Sequence, residues 1–267
     1  MVLLATYEWP EPHAGSDAHA QAPVAVLVHG ITASLRTWWR VGPALAESGW
    51  RVIGVDLRGH GDSQPMDGPQ TREDLAADLA ETIEALDIAP VDVIIGHSLG
   101  AAVVLELTHA RPELVRRVVL EDPPGTDRSE DVPSVEGLEQ EALAARAEPE
   151  RELSRILEAN PMWERPDAEQ NVADQQRCDL EGVVASLRQG MGSRVAELVP
   201  ILTVPALYLL AAEDRSAIQG EQRERLLTGV PAGSRAVELD PGHATHRDQF
   251  ADYMRTLLEW LAETARP

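Results

Sequence analysis

The chain reads as an α/β protein: a mostly parallel, twisted sheet with helices on both faces and a helical cap inserted near the middle. Three observations predict this. Short β-branched runs alternate with amphipathic helical stretches from residue 24 onward. The strand-like runs are apolar almost throughout, as strands buried on both faces must be. The alternation breaks once, between Pro123 and Pro200, where helical patterns rich in Glu, Ala and Arg follow one another without a strand.

In chain order, Leu3–Trp9 is expected as an antiparallel edge strand and the polar stretch Pro10–Pro23 as a loop. Parallel strands follow at Val24–Val28, Arg51–Leu57, Val91–Gly96, Val115–Glu121, Pro205–Ala211 and Ser234–Leu239. The helix Thr71–Ile88 places Leu75, Leu79, Ile83 and Leu86 at helical spacing, with Thr71 as N-cap. A second helix runs from Leu99 to Arg111 and stops before Pro112. The last, Arg247–Glu263, presents Phe250, Met254, Leu257, Leu258 and Leu261. Within the interruption, helices are expected at Gly137–Ala147, Arg151–Ala159 and Asp174–Gln189. Residues 123–200 then form a cap over the carboxyl ends of the strands, inserted into a core of residues 1–122 and 201–267.

Composition narrows the function classes. The chain has 267 residues, 43% hydrophobic, and a formal net charge of -22. That charge repels phosphate backbones and anionic lipid, so neither a nucleic acid nor a membrane is expected as partner. The basic residues number 23, and every one is arginine, which reflects coding bias rather than a device. The single cysteine, Cys178, excludes an internal disulfide and a multi-cysteine metal site, and reads as a partly buried thiol in a polar helical stretch. The first residues carry no basic region and no long apolar run, which points to the cytoplasm. The eight histidines are scattered without ligand spacing and no phosphate loop is present, so no metal and no nucleotide cofactor is expected.

The chemistry-bearing motif is Gly96-His97-Ser98-Leu99-Gly100, a G-x-S-x-G turn between an expected strand and an expected helix. Such a turn lifts a serine hydroxyl above the sheet and aims the helix N-terminus at developing negative charge. Ser98 is therefore the expected nucleophile. The chain order of serine, acid and histidine selects His243, in Asp240-Pro241-Gly242-His243, as the base, with His246 ranked below it. Asp214 is the preferred acid because it follows Pro205–Ala211. Asp122, at the end of the preceding strand, is the runner-up and Glu213 the third choice. The backbone N–H groups of Ile31 and Leu99 are expected to form an oxyanion hole.

These motifs, LVHG, GVDLRGHGDS, GHSLG, LLAAED and DPGHATH, resemble those of the α/β-hydrolase superfamily, in particular capped carboxylesterases and lactonases. The resemblance covers Val24–Asp122 and Thr203–Ala262. It implies the α/β-hydrolase fold, an ester or lactone substrate and no cofactor. It also implies an architectural role for the turn of Asp56, Arg58, Gly59, His60, Gly61 and Ser63. Serine at 98 separates the chain from relatives that use aspartate there. In the cap, Met162 and Trp163 are expected to line the site, while Trp38 and Trp39 are expected to pack in the core. A ligand sensor with slow turnover, a C–C bond hydrolase and a perhydrolase remain alternatives on the same scaffold. The natural substrate and the oligomeric state are not legible.

Overall fold

Alternation along the central strands divides the interior into two layers. The structure, a computed structural model, describes residues 2–9, 21–125, 135–189, 194–239 and 242–265. Seven strands form one sheet: β1 Thr6–Trp9, β2 Val24–Val28, β3 Arg51–Val55, β4 Val93–His97, β5 Val118–Glu121, β6 Ala206–Leu210 and β7 Arg235–Glu238. Their spatial order is β1-β3-β2-β4-β5-β6-β7. Only β1 is antiparallel, pairing Thr6 with Val55 and Trp9 with Val52. All seven strands stand where the sequence reading expects them, with ends that differ by up to three residues. Most of the expected loop 10–23 lies outside the described residues.

Val26, Val28, Ile94, Val118, Leu120 and Tyr208 face one layer. There they meet Leu75, Leu79 and Ile83 of α2 (Arg72–Ala85) and the apolar residues of α3 (Leu99–Ala110). Ala25, Leu27, Val93, Ile95, Val119, Leu207 and Leu209 face the other, against Leu45 of α1 (Val41–Glu47) and Tyr253, Leu257 and Trp260 of α11 (Phe250–Glu263). This is the two-residue period of a strand buried on both faces. Each large apolar side chain buried here contributes roughly 1.5–3 kcal/mol. α2 begins as expected at Thr71, whose hydroxyl accepts from Asp74 N while the Asp74 carboxylate accepts from Thr71 N.

Between β5 and β6 the described helices are α4 Val135–Ala147, α5 Pro149–Ala159, α6 Arg165–Arg177, α7 Leu180–Arg188 and α8 Val195–Leu198. The single helix expected over Asp174–Gln189 is in fact two. Asp179 breaks it, because its carboxylate caps α7 by accepting from Gly182 N and also accepts from Met66 N. Cys178 is buried at that break rather than within a helix. α6 and α7 dock on loops that leave the carboxyl ends of β2 and β3, and α4 and α5 pack on these two helices. Asp174 accepts from Ser34 Oγ (2.6 Å), Asp167 from Trp39 Nε1 (2.8 Å), and Asp179 N donates to Gly59 O (2.7 Å). α8 behaves differently. Val195 and Leu198 join the main core beneath α3, and so belong to the sheet's own layer.

The remaining helices are α9 Gly220–Gly229, between β6 and β7, and the short turn α10 Thr245–Asp248 before α11. The expected last helix is interrupted at Gln249, whose non-helical φ of -133° and ψ of 48° separate α10 from α11.

Candidate active site

The order of strands reverses between β2 and β4, the place where open α/β sheets form a ligand crevice at their carboxyl ends. Ser98 sits at its edge with φ 51° and ψ -116°, a left-handed backbone that costs a non-glycine residue about 1–3 kcal/mol. Close packing holds it there. A Cβ on Gly96 would stand 2.5 Å from Gly100 O, and one on Gly100 would overlap Val28 O. Backbone cannot yield as a side-chain tip can, so both positions need glycine. Ser98 N donates to Glu121 O at 2.9 Å, tying the turn to the end of β5. Across the crevice, Gly30 faces Ser98, and a Cβ there would meet both His97 Nδ1 and Ser98 Cβ. The N–H groups of Ile31 and Leu99, on the two sides, donate to no acceptor among the described residues.

His243 Nδ1 lies 2.5 Å from Asp122 Oδ2. The expectation of Asp214 is thereby corrected. Asp214 and Glu213 are exposed in the turn after β6, whereas Asp122 is fully buried at the end of β5. The reason lies in the loop itself. Instead of presenting its own acid, the segment after β6 folds its donors onto Asp122: Ala211 N (3.2 Å), Ser216 Oγ (2.5 Å) and Ala217 N (2.8 Å). Asp122 takes a left-handed φ of 39° there. Burial works against its charge, but the bonds from His243, Ser216 and Ala217 outweigh burial and hold the carboxyl below its ordinary value. Burial likewise disfavours a His243 cation, yet Asp122 raises the imidazole above its ordinary value. Ser98 Oγ and His243 are not hydrogen-bonded to each other; such contacts often close only once substrate is bound.

Other histidines support the frame. His97 Nε2 meets the carbonyl of His243 at 3.1 Å, and the two rings lie 4.7 Å apart. His246, the weaker candidate for the base, is buried and bonds Glu121 through Nδ1 at 2.9 and 3.0 Å. Glu121 escapes sequence reasoning, since a glutamate ending an apolar strand carries no motif. His60 is buried and accepts from Thr32 N at 3.2 Å, so the Asp56–Ser63 turn steadies the loop that follows Gly30. Asp56 in turn accepts from Leu35 N and Asp62 N, and a Cβ on Gly61 would collide with its carboxylate.

Trp38 is fully buried in the second layer, as expected. Trp39 departs from the core, reaching Asp167 of α6. Trp163 packs on Leu153, Ile156 and Val172, with the Arg247 guanidinium 4.4 Å over its ring. Met162 is half exposed. No hydrogen bond or ring contact joins Met162 or Trp163 to Ser98, Asp122 or His243.

A sequence model of the alpha/beta hydrolase fold matches residues 23–179, more than half of the chain. The chain belongs to the α/β-hydrolase family. Among curated relatives, this hydrolase-family chain is 25% identical over 301 aligned positions to the bifunctional epoxide hydrolase 2 of Sus scrofa, an alignment that spans 91% of the chain and 52% of that protein. It spans about half or less of the length of the curated relatives it matches first. Among solved structures, an enol-lactonase from Burkholderia xenovorans LB400 superposes with a TM-score of 0.75 at 23% identity, covering 97% of this chain and 96% of that one. An esterase from Exiguobacterium antarcticum gives 0.76 at 18% identity, covering 97% and 95%. Both likenesses are of fold. Among the described residues of this α/β-hydrolase chain, no helix is long and apolar enough to cross a membrane, and no three His, Cys, Asp or Glu side chains are grouped to hold a metal ion.

Proposed function

We propose that the protein is a serine hydrolase that cleaves a carboxylic ester or lactone through an acyl-enzyme, with Ser98 as nucleophile, His243 as general base and Asp122 as the acid of the triad. The observation that carries this reading is the 2.5 Å contact of His243 Nδ1 with buried Asp122, beside a serine held in a left-handed turn at the head of α3. In the proposed reaction His243 Nε2 takes the Ser98 proton as Oγ attacks the substrate carbonyl. The tetrahedral oxyanion then rests on the N–H groups of Ile31 and Leu99, at the positive end of α3. The imidazolium returns its proton to the leaving oxygen, which in a lactone stays tethered to the acyl group. Water then repeats the sequence and frees Ser98. Asp122 stays ionised throughout, orienting the imidazole and stabilising its cation.

Residues 135–189 are proposed as the lid that shapes the substrate pocket, with Trp163 and Met162 among its lining; the end of the expected cap, Val195–Leu198, belongs to the sheet's own layer. The docking bonds of Asp167, Asp174 and Asp179 support a lid seated over the strand ends. Steady-state assay of wild type and Ser98→Ala on a panel of p-nitrophenyl esters and lactones tests the reaction. Trp163→Ala tests the pocket: relative rates among acyl sizes should change more than thermal stability does. A stable, fully active Ser98→Ala protein would overturn the mechanism.

A further inference from the structure

A second buried carboxylate stands directly beside the triad acid. Glu121 is the last residue of β5 and is wholly inaccessible to solvent. Its backbone carbonyl accepts the N–H of Ser98. Its side chain accepts from Thr245 Oγ1 (2.8 Å), His246 N (2.9 Å) and His246 Nδ1 (2.9 and 3.0 Å). Thr245 and His246 closely follow His243 in the chain, so one side chain grips the base's loop by both backbone and side chain. The hydrogen count around it closes. Thr37 Oγ1 accepts from Arg247 Nε (3.1 Å) and Nη2 (2.7 Å), which fills both lone pairs. Its own hydrogen is therefore directed at His246 Nε2, 3.0 Å away, and His246 Nδ1–H is left to donate to Glu121. Burial opposes the carboxylate's charge, but the interactions with His246 and His97 outweigh it and hold Glu121 to about 2.

Resting on the Ser98–His243–Asp122 reading, we propose that Glu121 is a positioning residue: it fixes the nucleophile through its backbone and the base through Thr245 and His246, and it keeps a second negative charge beside the imidazole. The charged and titratable groups that face His243 are Asp122, Glu121, Asp248 and His97, with His246 against the far side of His97. Of these, Asp122 and Glu121 are the wholly buried carboxylates, and Glu121 is the one that grips the loop beyond His243, through Thr245 and His246. Replacing it by glutamine keeps the size and the backbone bond to Ser98. It removes the charge and sets an amide N–H₂ or a single oxygen against donors that now number three. The loop can satisfy these only by shifting, and a displacement of about 1 Å at a catalytic base costs up to about 10² in rate.

The test compares the full-length wild type with Glu121→Gln, Thr245→Val and Ser98→Ala, measuring kcat, KM and their pH profiles on one p-nitrophenyl ester. Glu121→Gln should lower kcat by about 10- to 100-fold with KM nearly unchanged. It should also move the acidic limb of kcat/KM to lower pH, because the imidazole cation has lost a favourable charge. Thr245→Val, which removes one bond and no charge, should lower kcat less and leave the limb in place. Wild-type kcat in both variants, or an unmoved limb in a folded Glu121→Gln, would overturn the proposal. Should Glu121→Gln fail to fold, Thr245→Val decides by its kcat alone. Full activity in Ser98→Ala would instead sink the triad reading, whereas an inactive Ser98→Ala with a wild-type Glu121→Gln would remove only the positioning role.

Discussion

His97, one residue before Ser98, bonds the backbone carbonyl of His243 through Nε2 at 3.1 Å. The strand that ends beside Ser98 therefore also holds the loop that carries His243, the proposed base. Burial pushes His97 down to about 3, so at neutral pH its ring is an uncharged donor and not a rival cation. His243 is different: its folded-state value is raised, because Asp122 more than offsets burial.

The base is active only when neutral, so kcat/KM should rise with pH through a midpoint above the ordinary histidine value of about 6.5. A pH–rate profile on an ester whose leaving group does not titrate between about pH 5 and 9 measures that midpoint. One well below 6 would contradict the Asp122–His243 pairing.

The acid assignment is separable by two asparagine variants. Asp122→Asn keeps the shape but removes the charge, and should lower kcat by about 10⁴, the size of loss known for the same substitution in a serine-protease triad. Asp214→Asn, exposed in its turn, should remain within a few-fold of wild type. Steady-state kinetics of the two, with circular dichroism to verify folding, decide between them.

Ser98→Ala should lose covalent labelling by a fluorophosphonate probe and nearly all turnover. Binding and the oxyanion hole would leave a residual rate of about 10³–10⁴ over water. Labelling of the variant at the same site, detected by peptide mass spectrometry, would exclude Ser98 as nucleophile.

Gly100→Ala probes the turn. Its new methyl would overlap the carbonyl oxygens of Val28 and His29, and both are backbone. The expected loss is about 3 kcal/mol or more, with activity falling at least in step, because the strand ends must part to admit it. Denaturant unfolding measures the loss. A change below about 0.5 kcal/mol would show that the β2–β4 crevice is looser than the structure has it.

Asp174 links stability to pH. It is buried on α6, with Oδ2 lacking a hydrogen-bond partner among the described residues, and burial raises its carboxyl from 3.8 to about 6. The folded state thus favours the protonated form. The stability this group contributes is full below about 4 and is lost as pH rises through about 6, roughly 2–3 kcal/mol by pH 7. Asp174→Asn should therefore raise Tm at pH 8 and change it little at pH 4. Equal shifts at both pH values would refute the linkage.

How much was legible follows from the range of the interactions involved. The strands, the Thr71 capping box, the elbow at Ser98 and the loop of His243 were readable, because strand apolarity, capping and tight turns are properties of neighbouring residues. Met162 and Trp163, expected from the sequence to line the site, lie between α5 and α6, where Trp163 packs on Leu153, Ile156 and Val172. The expected helix over Asp174–Gln189 failed at Asp179, whose carboxylate is claimed by Met66 N from far along the chain. The acid failed for the same kind of reason. Asp122 and Asp214 both follow strands, and nothing local distinguishes them; the choice depends on a loop after β6 that turns Ser216 and Ala217 onto Asp122 and leaves Asp214 in water. By itself the sequence determined the α/β architecture, the tight turn at Ser98 and the loop of His243, which local pattern and chain order encode. Only the tertiary structure decided which carboxylate meets His243 and that Glu121 stands behind it, because a buried charge is stable only where donors from distant segments converge on it.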